Sequence, residues 1–285
     1  HAANVIDSIK EACRELKVTS LFFEAGEMSF AVYDKYSDAL GEGVMKPAGD
    51  WVERLRMIKD ESELKVLREA AQLADKTFEH ILGRLKPGIR ELDVALEIEF
   101  FMRRNGASST SFETIVASGE RSAMPHGVAS ERVLRAGEFV KLDFGAYYQG
   151  YCSDITRTVV LGKPTDRHRE IYDIVLEAQE ACLNGLRSGM TGKEGDALAR
   201  DIIKARGYGD CFGHGTGHSL GMEIHESPRL SPPCDPVLEP GMMMTVEPGI
   251  YIPGFGGVRI EDDVLIGADG VEILTHAPKN FIVID

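Results

Sequence analysis

Two aspartates within one short segment have the spacing of a shared cation site. Asp143 and Asp154 lie in FVKLDFGAYYQGYCSDITRTVVL, which reads as two β-strands joined by a tight turn. If Tyr148 and Gln149 form the two-residue loop, the two aspartates face each other, and directly opposed Cβ atoms in an antiparallel pair lie roughly 5 Å apart. Carboxylates that close repel unless a proton or a cation lies between them. The segment therefore predicts a bound cation.

Two glutamates extend this acidic set near the carboxyl end of the chain. Glu247 lies within MMMTVEPGIYIP and Glu261 within GGVRIEDDVLI. A carboxylate inside a strongly apolar strand usually has a partner. Arg259 points to the same face as Glu261, so a simple ion pair is the alternative to a metal site. Each acidic residue taken alone fits a turn or an exposed strand position, and only their combination favours a metal site.

Histidines are concentrated in one glycine-rich segment. FGHGTGHSLGMEIHESP contains His214, His218 and His225, and its glycines suit a sharply turning backbone that approaches another group closely. His126, in MPHG, fits an ordinary loop residue when taken alone. One imidazole with four carboxylates is an oxygen-rich ligand set, which matches a site for two divalent ions better than it matches a thiolate-type zinc site. Two such ions about 3.5–4 Å apart stabilise a tetrahedral intermediate, so the expected chemistry is hydrolysis.

The composition is that of a soluble globular protein. The chain has 285 residues, 43% of them hydrophobic and 27% charged, with a formal net charge of −14. This negative charge disfavours a nucleic-acid backbone or an anionic membrane as a partner. The five cysteines include no C-x-x-C motif, which fits a reducing compartment. We therefore expect a cytoplasmic protein that binds neither nucleic acid nor membranes.

Hydrophobic periodicity and turn residues predict the elements that position these side chains. Helices over 5–16 and 29–40 with strands over 19–24 and near 44–46 indicate part of a small α/β domain. A break follows at 46–50. Beyond it, strands alternate with helices predicted over 61–85, 91–104, 166–186 and 194–206.

A helix–helix–hairpin order occurs twice along the chain. The tetrapeptide LKPG at 85–88 matches LRSG at 186–189, and Gly106 matches Gly207 at the same offset. Further on, AGE at 136–138 matches PGM at 240–242, and at that offset Asp143 corresponds to Glu247. The second hairpin also carries Glu261. The repeat predicts two hairpins that face each other across a pseudo-twofold axis with four carboxylates between them.

The combined motifs DFG, SDITRT, HGTGHSLGMEIHE, TVEPGIY and GVRIEDD resemble those of the pita-bread metallopeptidases. They are most similar to the Xaa-Pro peptidase branch, which comprises prolidase and aminopeptidase P, and the resemblance covers about residues 50–285. It implies an α+β chain with a pita-bread (creatinase/aminopeptidase) catalytic domain at 56–285 that contains the pseudo-twofold repeat. Residues 1–55 would be the final part of a creatinase-type α/β amino-terminal domain.

The resemblance also implies a set of metal ligands. Matched motif by motif, the ligands of two divalent ions are Asp143, Asp154, His218, Glu247 and Glu261. The two aspartates and Glu261 would take part in bridging or chelating both ions. Mn²⁺ or Co²⁺ is the expected metal, with Zn²⁺ or Fe²⁺ as alternatives.

Further roles follow from the same resemblance. Glu247 would accept the proton of the attacking water, and His225 and His126 would contact the scissile peptide and the intermediate. His214 and Arg259 would line or brace the site. Arg229 matches an arginine of some prolidases that is placed to hold a substrate carboxylate.

These features predict a peptidase that hydrolyses the bond between an amino-terminal residue and proline in dipeptides or short peptides. Short proline-containing peptides are the expected partners, and a homodimer is the candidate assembly. Methionine aminopeptidase activity is an alternative with the same ligand plan, but the front segment and the HGTGHSLGMEIHE motif favour the proline-specific branch. A non-catalytic binding protein on the same fold is disfavoured, because all five ligands are present.

Overall fold

A computed structural model describes residues 4–285 as two compact units, which divide between Leu55 and Arg56. The smaller unit contains α1 (Val5–Glu15), β1 (Leu21–Phe23), α2 (Phe30–Leu40) and β2 (Met45–Pro47), and its two strands pair in parallel. The short helix α3 (Trp51–Met57) crosses the boundary. The element order agrees with the sequence pattern, whereas membership of this unit in a creatinase-type domain stays a prediction. None of the helices within 4–285 is both long and apolar enough to span a membrane.

Four long helices belong to the larger unit: α4 (Glu61–Leu82), α5 (Glu91–Arg104), α6 (Asp166–Gly185) and α7 (Gly192–Ala205). Helix α4 begins with a capping box, in which Asp60 accepts from the Glu63 N–H at 3.0 Å and Glu63 accepts from the Asp60 N–H at 2.7 Å. The helix ends at Leu82, three residues before the predicted end at Leu85, because Gly83 caps it. Leu85 lies in the turn that follows, and its side chain is buried there.

The strands of the larger unit fall into two groups. The first group contains β3 (Ser109–Thr110), β4 (Ile115–Ser118), β5 (Glu138–Phe144), β6 (Ala146–Tyr148), β7 (Tyr151–Cys152) and β8 (Ile155–Leu161). The second contains β9 (Gly217–Ser219), β10 (Glu226–Leu230), β11 (Met243–Val246), β12 (Gly249–Ile252), β13 (Gly256–Arg259), β14 (Asp262–Ile266) and β15 (Val271–Ile273). Strand β16 (Val283–Ile284) returns to pair with β8.

The two groups repeat one topology. One sheet has the order β16-β8-β5-β4, and the other has the order β15-β14-β11-β9-β10. In each group a strand of the main sheet leads into a separate small hairpin, β6-β7 or β12-β13, and then returns to the sheet. The internal repeat predicted from the sequence is therefore present in the strand order. Because of this repeat, each small hairpin branches from its main sheet next to acidic residues.

Helices cover these sheets with apolar side chains. Phe78 and Ile98, from α4 and α5, belong to the same buried cluster as Leu142 and Phe144 of β5. A second cluster joins α6 and α7 to the β9–β15 sheet through residues such as Val175. Because burial of apolar area is the main stabilising contribution to folding, these two layers hold the acidic strand ends in place.

The register of the first hairpin differs from the prediction. Tyr148 pairs with Tyr151, so the turn is formed by Gln149 and Gly150, whose φ angles are 48° and 91°. Two-residue hairpin turns of this type need positive φ at both central residues, which glycine adopts without cost. Asp143 therefore faces Thr156, and its predicted direct opposition to Asp154 is wrong.

The correct register still places both aspartates on one face. Moving the turn by one residue shifts the pairing by two, and side chains alternate between faces with a period of two. The Ser153 N–H donates to the Ala146 carbonyl at 3.1 Å, so the register continues and brings Asp154 opposite Gly145. Asp154 is therefore a diagonal neighbour of Asp143, a separation that long or acidic side chains can still bridge.

Candidate metal centre

Four acidic residues lie where the long strands give way to the small hairpins. Asp143 is near the end of β5 and Asp154 directly precedes β8. In the second half, Glu247 directly follows β11 and Glu261 directly precedes β14. Val246 pairs with Asp262, and the Ile260 N–H lies 3.5 Å from the Pro248 carbonyl. This register places Glu247 opposite Glu261, which is the direct opposition that the first hairpin lacks.

Three residues form a compact cluster of candidate ligand atoms. Asp154, His218 and Glu261 are buried, and one ligand atom from each lies within 4.8 Å of the others. Asp154 Oδ1 and Glu261 Oε1 are buried without a hydrogen-bond partner among residues 4–285. Buried polar atoms ordinarily have partners. Unpartnered carboxylate oxygens beside an imidazole fit a divalent cation.

The surroundings of His218 support this interpretation. Its Nδ1 lies 3.1 Å from the Ser219 carbonyl, so we assign the proton to Nδ1. The Nε2 lone pair then faces Asp154 Oδ2 at 3.7 Å and Glu247 Oε1 at 3.5 Å. Burial lowers the pKa of His218 to about 3, so the ring is neutral. A lone pair directed at carboxylates, with the other nitrogen held by a carbonyl, is the arrangement of a metal-bound histidine.

The acidic groups cannot all be charged without a cation. Burial raises the pKa of Asp154 and of Glu261, and repulsion from the neighbouring carboxylates raises both further. Burial also raises the pKa of Glu247 to about 7, although Arg259 opposes the shift. Each of these groups favours its protonated form until positive charge enters the site.

Arg259 occupies the opposite side of this acidic group. Its guanidinium forms an ion pair with Asp143, and its Nε lies 3.8 Å from Glu247 Oε2. The sequence alternative, an ion pair between Arg259 and Glu261, is replaced by these two contacts. Nε also donates to Thr156 Oγ1 at 3.0 Å. Asp143 and Glu247 thus contact a permanent cation and are not members of the three-residue cluster.

His214 and Tyr251 brace Arg259. His214 Nδ1 lies 2.8 Å from the Gly215 carbonyl and donates to it, so Nε2 accepts from the Tyr251 hydroxyl at 2.7 Å. Arg259 Nη1 donates to the same hydroxyl at 2.8 Å. Burial and the nearby Arg259 lower the pKa of His214 to about 3, which keeps this acceptor neutral.

Two residues at this site escaped sequence reasoning. Tyr251 follows Glu247 within EPGIY, but an apolar strand gives no signal that a tyrosine hydroxyl braces an arginine. Lys141 is fully buried, and its Nζ donates to the Met124 and Pro125 carbonyls at 2.7 and 3.2 Å. A signal did exist, because a lysine two residues before Asp143 shares its strand face.

All ten residues predicted for the site line one cavity of about 340 Å³: His126, Asp143, Asp154, His214, His218, His225, Arg229, Glu247, Arg259 and Glu261. The His225 ring lies edge-on to that of His218, with the ring centroids 4.5 Å apart. His126 is exposed at the rim. Arg229 is also exposed and forms no ion pair within the described part of the chain. The structure therefore brings the predicted set together around one cavity.

The remaining wall of this cavity is largely apolar. It includes Phe112, Ile115, Val128 and Ile224. A cavity with apolar walls and a few convergent polar groups is typical of a site for a small molecule. The volume and lining fit a short peptide better than a folded protein segment.

Comparison with known proteins identifies the family. The model of metallopeptidase family M24 matches residues 65–268. An Xaa-Pro dipeptidase of Pyrococcus furiosus is 45% identical, over 94% of this chain and 77% of that protein, and an uncharacterized peptidase of Bacillus subtilis is 52% identical, over 100% and 80%. The solved Xaa-Pro dipeptidase from Bacillus anthracis is 54% identical and superimposes with a TM-score of 0.97, over 99% of this chain and 79% of that one. The chain belongs to metallopeptidase family M24, and it is a peptide-bond hydrolase with the pita-bread fold.

Proposed function

We propose that this chain is a dinuclear-metal-dependent peptidase that hydrolyses Xaa-Pro bonds at the amino terminus of dipeptides or short peptides. The observation that carries the proposal is the buried cluster of Asp154, His218 and Glu261, with its unpartnered carboxylate oxygens, on one wall of a peptide-sized cavity. The relatives named Xaa-Pro dipeptidase supply the expected bond specificity.

The proposed ligands are the five residues Asp143, Asp154, His218, Glu247 and Glu261. When bound, two divalent ions would supply positive charge for an attacking water and for the carbonyl oxygen of the scissile bond. The oxygen-rich set favours Mn²⁺ or Co²⁺, with Zn²⁺ or Fe²⁺ as alternatives. Asp143 can serve as a ligand through the oxygen that Arg259 leaves free.

The chain's own residues would orient the peptide and move the proton. Glu247, which borders the cavity beside His218, would accept the proton of the attacking water. His225, whose ring lies against that of His218, and His126 would contact the scissile peptide. The guanidinium of Arg229, which has no ion-pair partner among residues 4–285, would hold the carboxylate of a dipeptide, since arginine binds carboxylates with two parallel hydrogen bonds. The apolar wall would receive the proline ring.

We also propose a cytoplasmic location, which agrees with the five cysteines, all free thiols within residues 4–285, as is usual in a reducing compartment. A homodimer and the creatinase-type character of residues 1–55 rest on the family resemblance. The second candidate activity, methionine aminopeptidase, shares the ligand plan, but the relatives named Xaa-Pro dipeptidase favour proline specificity. Rates on Ala-Pro, Ala-Pro-Ala and Met-Ala-Ser separate these activities.

The Asp154→Ala variant tests the proposal. Because Asp154 contributes an unpartnered oxygen to the cluster, we expect the variant to lose at least one bound ion and at least a thousandfold of the rate on Ala-Pro. Metal content after gel filtration and the rate of Ala-Pro hydrolysis provide the two measurements. Asp201→Ala, which removes an exposed carboxylate on α7, is the control. Wild-type metal content and rate in Asp154→Ala would refute the assignment.

A further inference from the structure

Glu226 lies between two residues proposed to contact the substrate, His225 and Arg229. Its side chain is only 7% exposed, and both carboxylate oxygens have charged partners. Lys59 Nζ donates to Oε2 at 2.9 Å, and Arg56 Nη2 donates to Oε1. Neither cation lines the cavity, so the ion-pair group of Arg56, Lys59 and Glu226 lies behind the proposed site rather than within it.

This ion-pair group contacts two separate segments of the larger unit. The Lys59 side chain is 1% exposed, and its backbone N–H donates to the Gly241 carbonyl at 3.0 Å, at the turn that precedes β11. Arg56 Nη1 also reaches Glu223 Oε1 at 3.2 Å, and the Glu223 N–H donates to Glu226 Oε1 at 3.2 Å. The two cations thereby connect the loop that carries His225 to the sheet that carries Glu247.

Close packing leaves this loop little freedom. A Cβ placed on Gly221 would lie 2.9 Å from both Glu226 Oε2 and Lys59 Cε. The Gly221 carbonyl also accepts from the Cys152 N–H at 2.7 Å. The absence of a side chain at this position allows the ion pairs to sit directly against the loop backbone.

Strand pairing holds this segment only in part. Ser219 pairs with Glu226 and His218 pairs with Arg229, so the register slips between Glu226 and Arg229. A bulge leaves its extra residues without ladder hydrogen bonds. The ion pairs to Glu226 therefore fix the first residue of β10, which follows His225 directly and precedes the interruption.

The cationic partners of Glu226 favour its negatively charged form. Burial alone raises the pKa of Glu226, but the attraction of Lys59 and hydrogen bonds from Arg56 and Lys59 reverse this and leave the pKa below its ordinary value. Burial lowers the pKa of Lys59, against the attraction of Glu226. Burial is the largest influence on both groups: the two cationic partners of Glu226 outweigh it, whereas the nearby Glu226 and Glu63 do not outweigh it for Lys59.

We infer that Glu226, held by Lys59 and Arg56, is a positioning residue that sets the place of His225 against His218 in the candidate metal centre. A buried ion pair has a large desolvation cost and is weak evidence for stability alone. Its place at the start of β10, directly after His225, gives it this second role. The inference rests on the proposed function, because its significance depends on His225 contacting the substrate.

A double-mutant cycle between Lys59 and His225 tests the inference. Lys59→Met removes one cation but leaves Glu226 paired with Arg56, so the chain keeps a neutralised carboxylate. We expect kcat on Ala-Pro to fall about tenfold in Lys59→Met, since a small misplacement of a substrate-contacting group costs that much. In a His225→Ala background the same substitution should change kcat less than about twofold, and Lys59→Arg should restore most of the loss.

Two controls distinguish positioning from a general loss of structure. Glu272→Gln removes the charge from a more exposed ion pair away from the site, Arg68 Nε to Glu272 Oε1 at 2.8 Å, and should leave kcat unchanged. Equal losses from Lys59→Met in both His225 backgrounds would overturn the inference. The His225 ring proton resonance of the Zn²⁺-loaded protein gives a readout without turnover, and it should shift in Lys59→Met while that of His276 stays constant. An unshifted His225 resonance would refute positioning, whereas a wild-type enzyme inactive on Ala-Pro would refute the proposed function alone.

Discussion

Single side chains define the chemistry of this site through their surroundings. His218 resembles many buried histidines until its contacts are considered, since its Nδ1 is held by a carbonyl and its Nε2 faces two carboxylates at 3.5 and 3.7 Å. Arg259 supplies a permanent positive charge beside the acidic group, and it contacts Asp143 rather than the compact cluster. The residue types were readable from the motifs, but which carboxylate pairs with the arginine depends on packing.

Arg229 offers a test at this scale. Its guanidinium is exposed in the cavity and is free of ion pairs within the described chain, so it is available to a substrate carboxylate. We expect Arg229→Ala to raise KM for Ala-Pro roughly 10–100-fold with a smaller effect on kcat, because a hydrogen-bonded charge contributes about 1.5–3 kcal/mol. Steady-state kinetics on Ala-Pro and on its carboxyl amide measure this. Equal losses on both substrates would argue against carboxylate binding.

Secondary structure was largely predictable because local signals agreed with tertiary packing. The α5 bounds match the prediction, and α7 starts two residues early because Thr191 caps it together with Glu194. The register of the first hairpin was predicted wrongly, because Tyr148-Gln149 and Gln149-Gly150 both fit a two-residue turn by length and the glycine signal was not used. Glycine's freedom at positive φ decides between them. Asp143 and Asp154 still lie on one face of the hairpin, as predicted, because the pairing is shifted by two residues rather than by one.

Gly145 allows the two strands of this hairpin to approach each other closely in the observed register. A Cβ at this position would lie 1.7 Å from the Ser153 carbonyl oxygen, directly beside Asp154. We expect Gly145→Ala to destabilise the fold by about 1–3 kcal/mol, as overpacking does, and to weaken metal binding, because Ser153 must move. Urea unfolding and metal titration measure the two effects.

Gly270→Ala is the matched control for this substitution. Gly270 has open space around its Cβ direction and no positive φ, so the variant should stay within about 0.5 kcal/mol of the wild type. Unchanged stability and metal affinity in Gly145→Ala would show that the close approach of the two strands is not required.

At the scale of the whole molecule, the repeated topology concentrates negative charge in one place. Each half of the larger unit contributes one interrupted hairpin, and the buried acidic residues collect where the two interruptions meet. The folded chain holds these groups close together, whereas the unfolded chain lets them ionise independently. Stability of the metal-free chain should therefore depend on pH in the opposite sense to that of most ion-paired carboxylates.

The sign follows from Glu247. Its folded pKa of about 7 lies above its ordinary value of 4.5, so the folded chain binds the proton more tightly. That contribution is complete below pH 4.5 and is lost as the pH rises through 7. We expect the free energy of unfolding of the metal-free chain to fall by roughly 2–3 kcal/mol from Glu247 alone between pH 5 and pH 8. Urea unfolding at several pH values measures this, and stability that rises with pH would contradict it.

The central claim is that two divalent ions bound by this acidic group are required for Xaa-Pro hydrolysis. The most direct measurement is a titration of the metal-free chain with Mn²⁺, Co²⁺ or Zn²⁺, in which bound ions per chain and the rate on Ala-Pro are followed together. We expect no hydrolysis without metal, activity that rises as ions bind, and saturation at two ions per chain. Full Ala-Pro hydrolysis by the metal-free chain would contradict it.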